Sequence, residues 1–401
     1  MDEENKLLIL DEQVLSAIFP DIPNVTKAPL NIISNSFDVC TFRLQLDPEL
    51  KPPSGFPTDL LIRIEKAERN PEAVSRLQNL AHRKTPTLTP AVLKVGTTGN
   101  AEGWQLSYSV TAFLSGTVAL EDVWNDLRED NQEALMDGVV DAIKQLQELR
   151  VRDDDILQGF QHRANMEDDS KAVPKALMGG PDTGYHFHIK PILEKFLLPE
   201  AADLSLCQII DTGDGIAIRS ADDNVGSVEL NQADLDTLSN HVVLCHNDLE
   251  PRNILVRKVE REGNDGNVWY ELVAIIDWEL VGFFPFAYEF GFKDASLGSS
   301  NLLFSWYSLF KKKTSALLPE GEAHEKLIKA LRIISQSNDK AIPKNVGVQF
   351  RAAWIKRECL VMHTDVRRGW VRKDGVAHIP TFTKDDQAKL ENDILKELGY
   401  I

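Results

Sequence analysis

The sequence predicts an α+β protein with two lobes, a small N-terminal lobe built on an antiparallel β-sheet and a larger, mainly helical C-terminal lobe. The chain has 401 residues, more than a single hydrophobic core usually organises, and 43% of them are hydrophobic. Short runs of alternating apolar and polar residues fill segment 29–65, whereas stripes at helical period dominate the later part of the chain. We therefore assign residues 1–112 to the first lobe and residues 113–401 to the second.

Two strands and a helix are the clearest elements of the first lobe. Alternating residues predict strands over 37–44 and 60–64, and the Pro-rich segment 51–57 interrupts the pattern between them. A helix is expected to start after Asn70-Pro71, where apolar residues recur at helical spacing. Residues 1–28 form an N-terminal extension of this lobe.

A central helix is predicted in the second lobe from apolar residues at helical period, which are Leu135, Met136, Val139, Val140, Ile143, Leu146 and Leu149. Residues 151–240 form a variable insertion that is rich in turn formers and charged residues. Within it, Gly213-Asp-Gly215 predicts a hairpin turn. Near the end of the chain, Thr383 is suited to cap a last helix.

Two polar segments follow the insertion and lie between apolar runs. The first is His246-Asn-Asp-Leu-Glu-Pro-Arg-Asn253, and the second is Ile275-Ile-Asp277-Trp-Glu279. In this pattern Asp248 is suited to accept a proton from a hydroxyl, and Asn253 and Asp277 supply oxygens for a magnesium ion that carries phosphates. An isolated D-x-x-x-x-N would more often be a capped turn. Two such segments in this order favour a phosphoryl-transfer site.

The two segments resemble those of the aminoglycoside phosphotransferase family of the protein-kinase-like superfamily, of the kind found in fungi. The resemblance implies a protein-kinase-like bilobal fold, with a nucleotide-binding first lobe and a catalytic second lobe. It implies that Asp248 is the catalytic base and that Asn253 and Asp277 hold magnesium on ATP. His246 matches a histidine that braces the loop backbone in such folds.

The same resemblance implies nucleotide contacts from the first lobe. Arg63 matches the strand cation that grips the phosphates, with Glu72 as its partner, although a solvated Arg and a helix-favouring Glu explain these residues equally well. The phosphate-covering turn corresponds to Ser34, Asn35 and Ser36, which could donate hydrogen bonds to phosphate. This turn contains no glycine, where the family pattern has glycines that let backbone amides approach the nucleotide.

Three further contacts are expected around the nucleotide. Segment 106–114 resembles the hinge of the family, so the main chain of Ala112, Phe113 and Leu114 would meet the adenine. Arg252 could reach the transferred phosphate or pair with Glu250. Glu279 could support a metal-bound water or pin its own loop.

The sequence thus predicts an ATP- and magnesium-dependent phosphotransferase that acts on a hydroxyl of a small, cationic or neutral molecule. The alternative is a pseudokinase, a nucleotide-binding or protein-interaction scaffold without transfer activity, which would tolerate the glycine-free turn. The nature of the acceptor and the oligomeric state are not determined by the sequence.

Composition limits the binding partners and the cellular location that we expect for this protein. The formal net charge of −18 argues against nucleic acid, because binding a phosphate backbone needs clustered Lys and Arg. No apolar run approaches the roughly 20 residues of a membrane span. The N-terminus is acidic, and four scattered cysteines suggest no disulfide framework. These features predict a cytoplasmic protein.

Overall fold

The computed structural model describes residues 7–8, 10–47, 56–66, 70–151, 177–198, 206–260, 268–376 and 379–401. In these residues the first lobe has one five-stranded antiparallel sheet with strand order β1-β2-β3-β5-β4. The strands are β1 (Leu30–Asn35), β2 (Val39–Gln45), β3 (Asp59–Lys66), β4 (Val92–Gly99) and β5 (Gln105–Ala112). Helix α1 (Glu12–Ile18) precedes the sheet, and α2 (Pro71–Lys84) connects β3 to β4.

The two faces of this sheet have different partners. Leu60, Ile62 and Ile64 of β3 are fully buried in a core that residues of α1 join. The alternate residues Leu61 and Arg63 line a cavity between the lobes. Because side chains alternate along a strand, one strand can supply both the core of the lobe and its functional face.

The elements predicted in the first lobe are present with shifted boundaries: the strand predicted over 37–44 spans 39–45, and the strand predicted over 60–64 spans 59–66. Strand β2 starts at Val39 rather than at residue 37, because the amide of Ser36 donates to the carbonyl of Val39 and closes a turn there. Helix α2 begins at Pro71, and the side chain of Asn70 accepts a hydrogen bond from the amide of Ala73. This capping confirms the predicted helix start.

Helices dominate the second lobe. They are α3 (Leu120–Val123), α4 (Glu129–Leu146), α5 (Lys190–Glu194), α6 (Gln232–Asn240), α7 (Phe286–Ser296), α8 (Phe304–Thr314), α9 (Glu322–Ala341), α10 (Val346–Arg357) and α11 (Lys384–Glu397). Helix α4 is the predicted central helix and ends at Leu146, and Leu149 lies beyond it but remains in the same core. Across the described residues, no helix has the length and apolar character needed to span a membrane.

Short strands complete the second lobe. They are β6 (Val118–Ala119), β7 (Met178–Gly180), β8 (Gly184–His186), β9 (Cys207–Asp211), β10 (Gly215–Ser220), β11 (Ser227–Asn231), β12 (Val242–Cys245), β13 (Ile254–Val259), β14 (Trp269–Ile275), β15 (Gly282–Pro285), β16 (Leu360–Met362) and β17 (Trp370–Arg372). The hairpin predicted at Gly213-Asp-Gly215 joins β9 to β10. Parts of the predicted insertion, residues 152–176 and 199–205, lie outside the described residues.

Two pairs of strands position the polar segments found in the sequence. Strand β12 pairs with β15, and β13 pairs with β14. Loop 246–253 therefore leads from one pair to the other, and loop 276–281 returns. The amide of Ile276 donates to the carbonyl of Asn253 over 2.9 Å and ties the loops side by side. The predicted two-lobed α+β fold is confirmed.

Candidate active site

Loop 246–253 holds the carboxylate of Asp248 in a fixed orientation. Nη2 of Arg252 donates to both oxygens of Asp248, at 2.8 and 2.7 Å, and Nδ2 of Asn253 donates to Oδ2 at 2.7 Å. Nδ2 of Asn253 also donates to the carbonyl of Asp248. Asp248, Arg252 and Asn253 therefore form one hydrogen-bonded unit. The sequence left open a pairing of Arg252 with Glu250, and in the structure Arg252 pairs with Asp248 instead.

His246 braces the backbone of this loop. Its ring accepts a hydrogen bond from the amide of Asp248 at Nδ1, and Nε2 lies 3.0 Å from the carbonyl of Ile276. These partners assign the neutral tautomer with its proton on Nε2. Burial lowers the pKa of His246 to about 4, so the ring stays neutral at pH 7. The ring also packs edge-on against Trp278 of the returning loop.

A buried ion pair fixes the other side of the loop. Nζ of Lys293, on α7, donates to Glu250 over 2.9 Å and to the carbonyl of Leu249 over 2.8 Å, and both charged side chains are 1% exposed. Nδ2 of Asn301 donates to the second oxygen of Glu250. Burial raises the pKa of Glu250, and Lys293 opposes that rise. The sequence did not point to Lys293, because it lies 43 residues from its partner.

A second buried carboxylate, Glu289 of α7, also supports the loop. Burial raises its pKa, while Lys293 and the backbone amides of Asn247 and His246 oppose the rise. Asn247 has φ of 67°, in the left-handed region, which costs less for Asn than for most residues. Sequence reasoning missed Glu289, although an acidic residue inside the apolar run 282–292 was a usable signal.

Asp277 begins the returning loop in a left-handed conformation, with φ of 61° and ψ of 65°. Its Oδ1 accepts from Nη1 of Arg63 over 3.1 Å, and Nη2 of Arg63 donates to Glu279 over 2.7 Å. Glu65 lies 3.4 Å from the same guanidinium. Burial and the neighbouring Glu279 raise the pKa of Asp277, and Arg63 opposes the rise. Arg63 thus joins the first lobe to Asp277 of the second.

A cavity of about 520 Å³ lies between the lobes at this point. Arg63 lines it from the sheet, and Asn253, Asp277 and Glu279 line it from the two loops. Its volume is that of a typical small-ligand or cofactor site. The cavity therefore brings together residues that the sequence placed in separate lobes.

Other residues predicted to touch the nucleotide lie outside the described lining of this cavity. Nδ2 of Asn35 donates to the carbonyl of Leu8, and Oγ of Ser36 donates to Asp38 over 2.5 Å. Ser34 belongs to β1 in the same hairpin. The structure therefore does not bring the side chains of this turn to the cavity, and their contact with phosphate stays a prediction.

The predicted hinge lies at the end of β5, and Glu72, the predicted partner of Arg63, lies at the start of α2. Ala112 ends β5, the amide of Phe113 donates to the carbonyl of Asp59, and Leu114 accepts from the hydroxyl of Thr117. Glu72 is exposed in the first turn of α2, and the structure pairs Arg63 with Glu65, Asp277 and Glu279 instead. These contacts to adenine, and the role of Glu72, stay predictions.

Asn253 and Asp277 have the chemistry of a magnesium site. Nδ2 of Asn253 is engaged with Asp248, so its Oδ1 is the atom left to meet a cation beside the carboxylate of Asp277. Among the described residues no cluster of three or more His, Cys, Asp or Glu side chains forms a metal site. Magnesium with a nucleotide needs no such cage, because phosphates and waters complete its shell. The donor set fits that ion.

Comparison with known proteins identifies one family. The model of the phosphotransferase enzyme family matches residues 59–297, more than half of the chain. No curated protein matches the chain significantly.

Solved structures give distant likenesses only. A thermostable mutant of aminoglycoside phosphotransferase APH(4)-Ia, in a ternary complex with AMP-PNP and hygromycin B, is 14% identical, over 86% of this chain and 98% of that chain, with a TM-score of 0.46. The streptomycin–ATP–APH(2″)-IIa ternary complex is 15% identical, over 86% of this chain and 97% of that chain, with a TM-score of 0.40.

Proposed function

The chain belongs to the phosphotransferase enzyme family, and we propose that it moves the γ-phosphoryl group of ATP to a hydroxyl group of a small molecule in a magnesium-dependent reaction. Membership of the family confirms the expectation of a small-molecule kinase. The identity of the nucleotide, the requirement for magnesium and the roles of individual residues are the parts that we propose.

In the proposed reaction the acceptor oxygen forms a bond to the γ-phosphorus, and the bond from that phosphorus to the β,γ-bridging oxygen breaks. ADP leaves with the electron pair of the broken bond. The hydroxyl proton passes to the carboxylate of Asp248, which Arg252 and Asn253 hold in place by hydrogen bonds. We also assign to the guanidinium of Arg252, which donates to Asp248, a contact with the phosphoryl oxygens of the transferred group.

Charge on the phosphates needs cations from both lobes. Magnesium, held by Asp277 and Asn253, would neutralise phosphate charge and orient the group that is transferred. Arg63 supplies a fixed positive charge from β3 in the same cavity. In the structure this charge balances Asp277 and Glu279, and in the complex it would turn to the phosphates.

One observation carries the proposal. Asp248, Asn253 and Asp277 are positioned by adjacent loops, and Asn253 and Asp277 share a cavity with Arg63 of the other lobe. A scaffold that only binds partners has no need of a base held by two hydrogen-bond donors. This arrangement favours an enzyme over the pseudokinase alternative.

We also propose a cytoplasmic location. The described cysteines Cys40, Cys207, Cys245 and Cys359 form no disulfide with one another, and the first three are buried. Cysteines without disulfides fit a reducing compartment.

The strongly acidic chain, with its net charge of −18, favours a cationic or neutral acceptor over a nucleic acid.

The test is a calorimetric titration of the protein with a non-hydrolysable ATP analogue, with and without magnesium, on the native chain and on Asp277→Asn. Asn tolerates the left-handed backbone at this position, so the variant should fold. We expect magnesium-dependent binding that the variant loses. Equal binding by the variant would remove Asp277 from the metal site, and no binding by the folded native chain would favour the scaffold.

A further inference from the structure

A second, smaller cavity of about 40 Å³ adjoins the interlobe cavity, with which it shares Asp182 and Leu280 in its lining. It lies between α7, the hairpin that follows β7 and the loop that precedes Asp248. Nothing in the proposed phosphate chemistry uses it. Its volume holds roughly three water-sized groups, so it admits a small head group and excludes a sugar or an aromatic ring.

Four aromatic rings form the wall of this cavity, those of Phe196, Phe284, Tyr288 and Phe292. The rings of Phe284 and Tyr288 stack at 4.4 Å, and Phe196 lies 5.7 Å from Phe292 and 6.0 Å from Tyr288, between ring centroids. Aromatic faces carry partial negative charge and attract cations. This wall therefore favours a positively charged group that also has an apolar surface.

Two polar groups of the lining can meet a charged amine. One is the carboxylate of Asp182, an exposed residue that lines the cavity and lies close enough to Tyr288 to add to the effect of burial in raising its pKa. Nζ of Lys195 donates to the backbone carbonyl of Asp182 over 3.3 Å, which leaves the carboxylate outside this hydrogen bond. The carboxylate of Asp182 is thus a candidate partner for a cation in the cavity.

The other polar group is the side-chain amide of Asn247, which is 4% exposed. Its Nδ2 donates to the carbonyl of Leu280 over 2.8 Å, so the remaining atom is an oxygen. This Oδ1 is buried and has no hydrogen-bond partner within the part of the chain that the structure describes. Buried acceptors nearly always have a hydrogen-bond donor. A ligand in this cavity could supply the donor that Oδ1 of Asn247 lacks among the described residues.

We propose that this cavity binds the protonated amine of the phosphate acceptor, which makes the substrate a short amino alcohol whose nitrogen carries at least one hydrogen. The aromatic wall and Asp182 select the charge, and Asn247 Oδ1 selects an N–H over a quaternary nitrogen. Asn247 directly precedes Asp248, and consecutive Cα atoms are 3.8 Å apart. The cavity also shares Asp182 and Leu280 with the interlobe cavity, so we assign a short aliphatic spacer between the amine and the hydroxyl. This inference rests on the proposed function for the identity of the reaction.

The test separates amine binding from catalysis. Propylammonium is protonated at pH 7, as Lys is, and its binding to the full chain is measured by ligand-observed NMR titration. We expect saturable binding in the millimolar range, and binding of propan-1-ol and tetramethylammonium that is at least tenfold weaker. Asp182→Asn should weaken propylammonium binding severalfold, because Asp182 is exposed, and Phe196→Leu should also weaken it severalfold. The exposed Asp223→Asn is the matched control and should not change it.

Three results would overturn the inference: propan-1-ol or tetramethylammonium binding as tightly as propylammonium, an unchanged affinity in Asp182→Asn, or no amine binding at all. Equal binding of propan-1-ol would indicate an apolar or water-filled cavity, and equal binding of tetramethylammonium would indicate a cation site that does not select an N–H group. Amine binding by a chain that binds no nucleotide would leave the cavity as an amine site and remove the kinase reaction. Transfer of phosphate to neutral alcohols by a chain that binds no amine would support the kinase reaction and remove the amine site.

Discussion

The two sides of the interlobe cavity are held in place in different ways. On the side of the second lobe, loop 246–253 rests on buried groups, among them His246 and the Glu250–Lys293 ion pair. On the side of the first lobe, Arg63 has a side chain that is 31% exposed, and the turn after β1 is held by local hydrogen bonds. The proposed base is therefore preorganised, whereas the nucleotide side can adjust when a ligand binds.

The largest expected effect is on catalysis at the preorganised side. Asp248→Asn removes the proton acceptor but preserves the size of the side chain, so transfer of phosphate from labelled ATP should fall by roughly 10²- to 10⁴-fold. Binding of the nucleotide should change by about twofold or less, because Asn253 and Asp277 remain. Single-turnover transfer and calorimetry measure the two quantities. Full transfer activity in the variant would exclude Asp248 as the base.

The second-largest expected effect is on the free energy of unfolding. It compares the buried Glu250–Lys293 ion pair of the second lobe with the partly exposed Arg43–Asp59 ion pair of the first lobe. Lys293→Met leaves the carboxylate of Glu250 buried without its ammonium partner and should cost about 3–5 kcal/mol of unfolding free energy. Arg43→Gln breaks the Arg43–Asp59 pair of the first lobe, whose side chains are 28% and 23% exposed, and should cost about 1 kcal/mol or less. Urea unfolding measures both.

A double variant tests the reason for that difference. If the cost of Lys293→Met comes from the stranded carboxylate, then adding Glu250→Gln should restore a large part of the stability. Equal costs for Lys293→Met and Arg43→Gln would show that burial does not distinguish the two sides.

A smaller effect is expected at Arg63. Arg63→Gln should weaken binding of the ATP analogue by roughly tenfold, because it removes a charged contact with phosphate. Burial and Glu279 already raise the pKa of Asp277, and Arg63 opposes that rise. Protonated Asp277 cannot hold magnesium, so affinity should decline as pH falls through its pKa.

In Arg63→Gln that decline should begin at a higher pH than in the native chain. Titrations between pH 8 and pH 5 test this shift, with the exposed Arg219→Gln as the matched control. The same pH profile in both proteins would show that Arg63 does not act on Asp277.

The smallest effect is expected at the glycine-free turn. Ser36→Ala removes a hydroxyl that donates to the carboxylate of Asp38, so turning to phosphate would exchange one charge-assisted hydrogen bond for another, with a net gain of about 1 kcal/mol or less. If this turn closes over phosphate as predicted, nucleotide affinity should fall by about fivefold at most. An unchanged affinity in Ser34→Ala and Ser36→Ala together would remove the side chains of the turn from the nucleotide site.

Local patterns made much of the fold predictable. Alternation in β3 and helical period in α4 depend on neighbours within a few residues, so the sequence shows them directly. The boundary of β2 was missed by two residues, because the turn at Ser36 depends on a hydrogen bond across the hairpin. Glu289 and Lys293 were missed because each acts on a loop about 40 residues away, and an isolated charge in an apolar run does not name its partner.

The sequence by itself determined the order of the motif residues and indicated the phosphotransferase class, because Asp248 and Asn253 lie within a single loop and their spacing is visible in the chain. Only the tertiary structure decided that Arg63 meets Asp277 across 214 residues and that Asn247 lines an aromatic cavity. The physical reason is the distance along the chain between the residues that interact. Backbone periodicity is local, whereas a charge or a cavity wall is completed by whichever distant segments the packed core brings beside it.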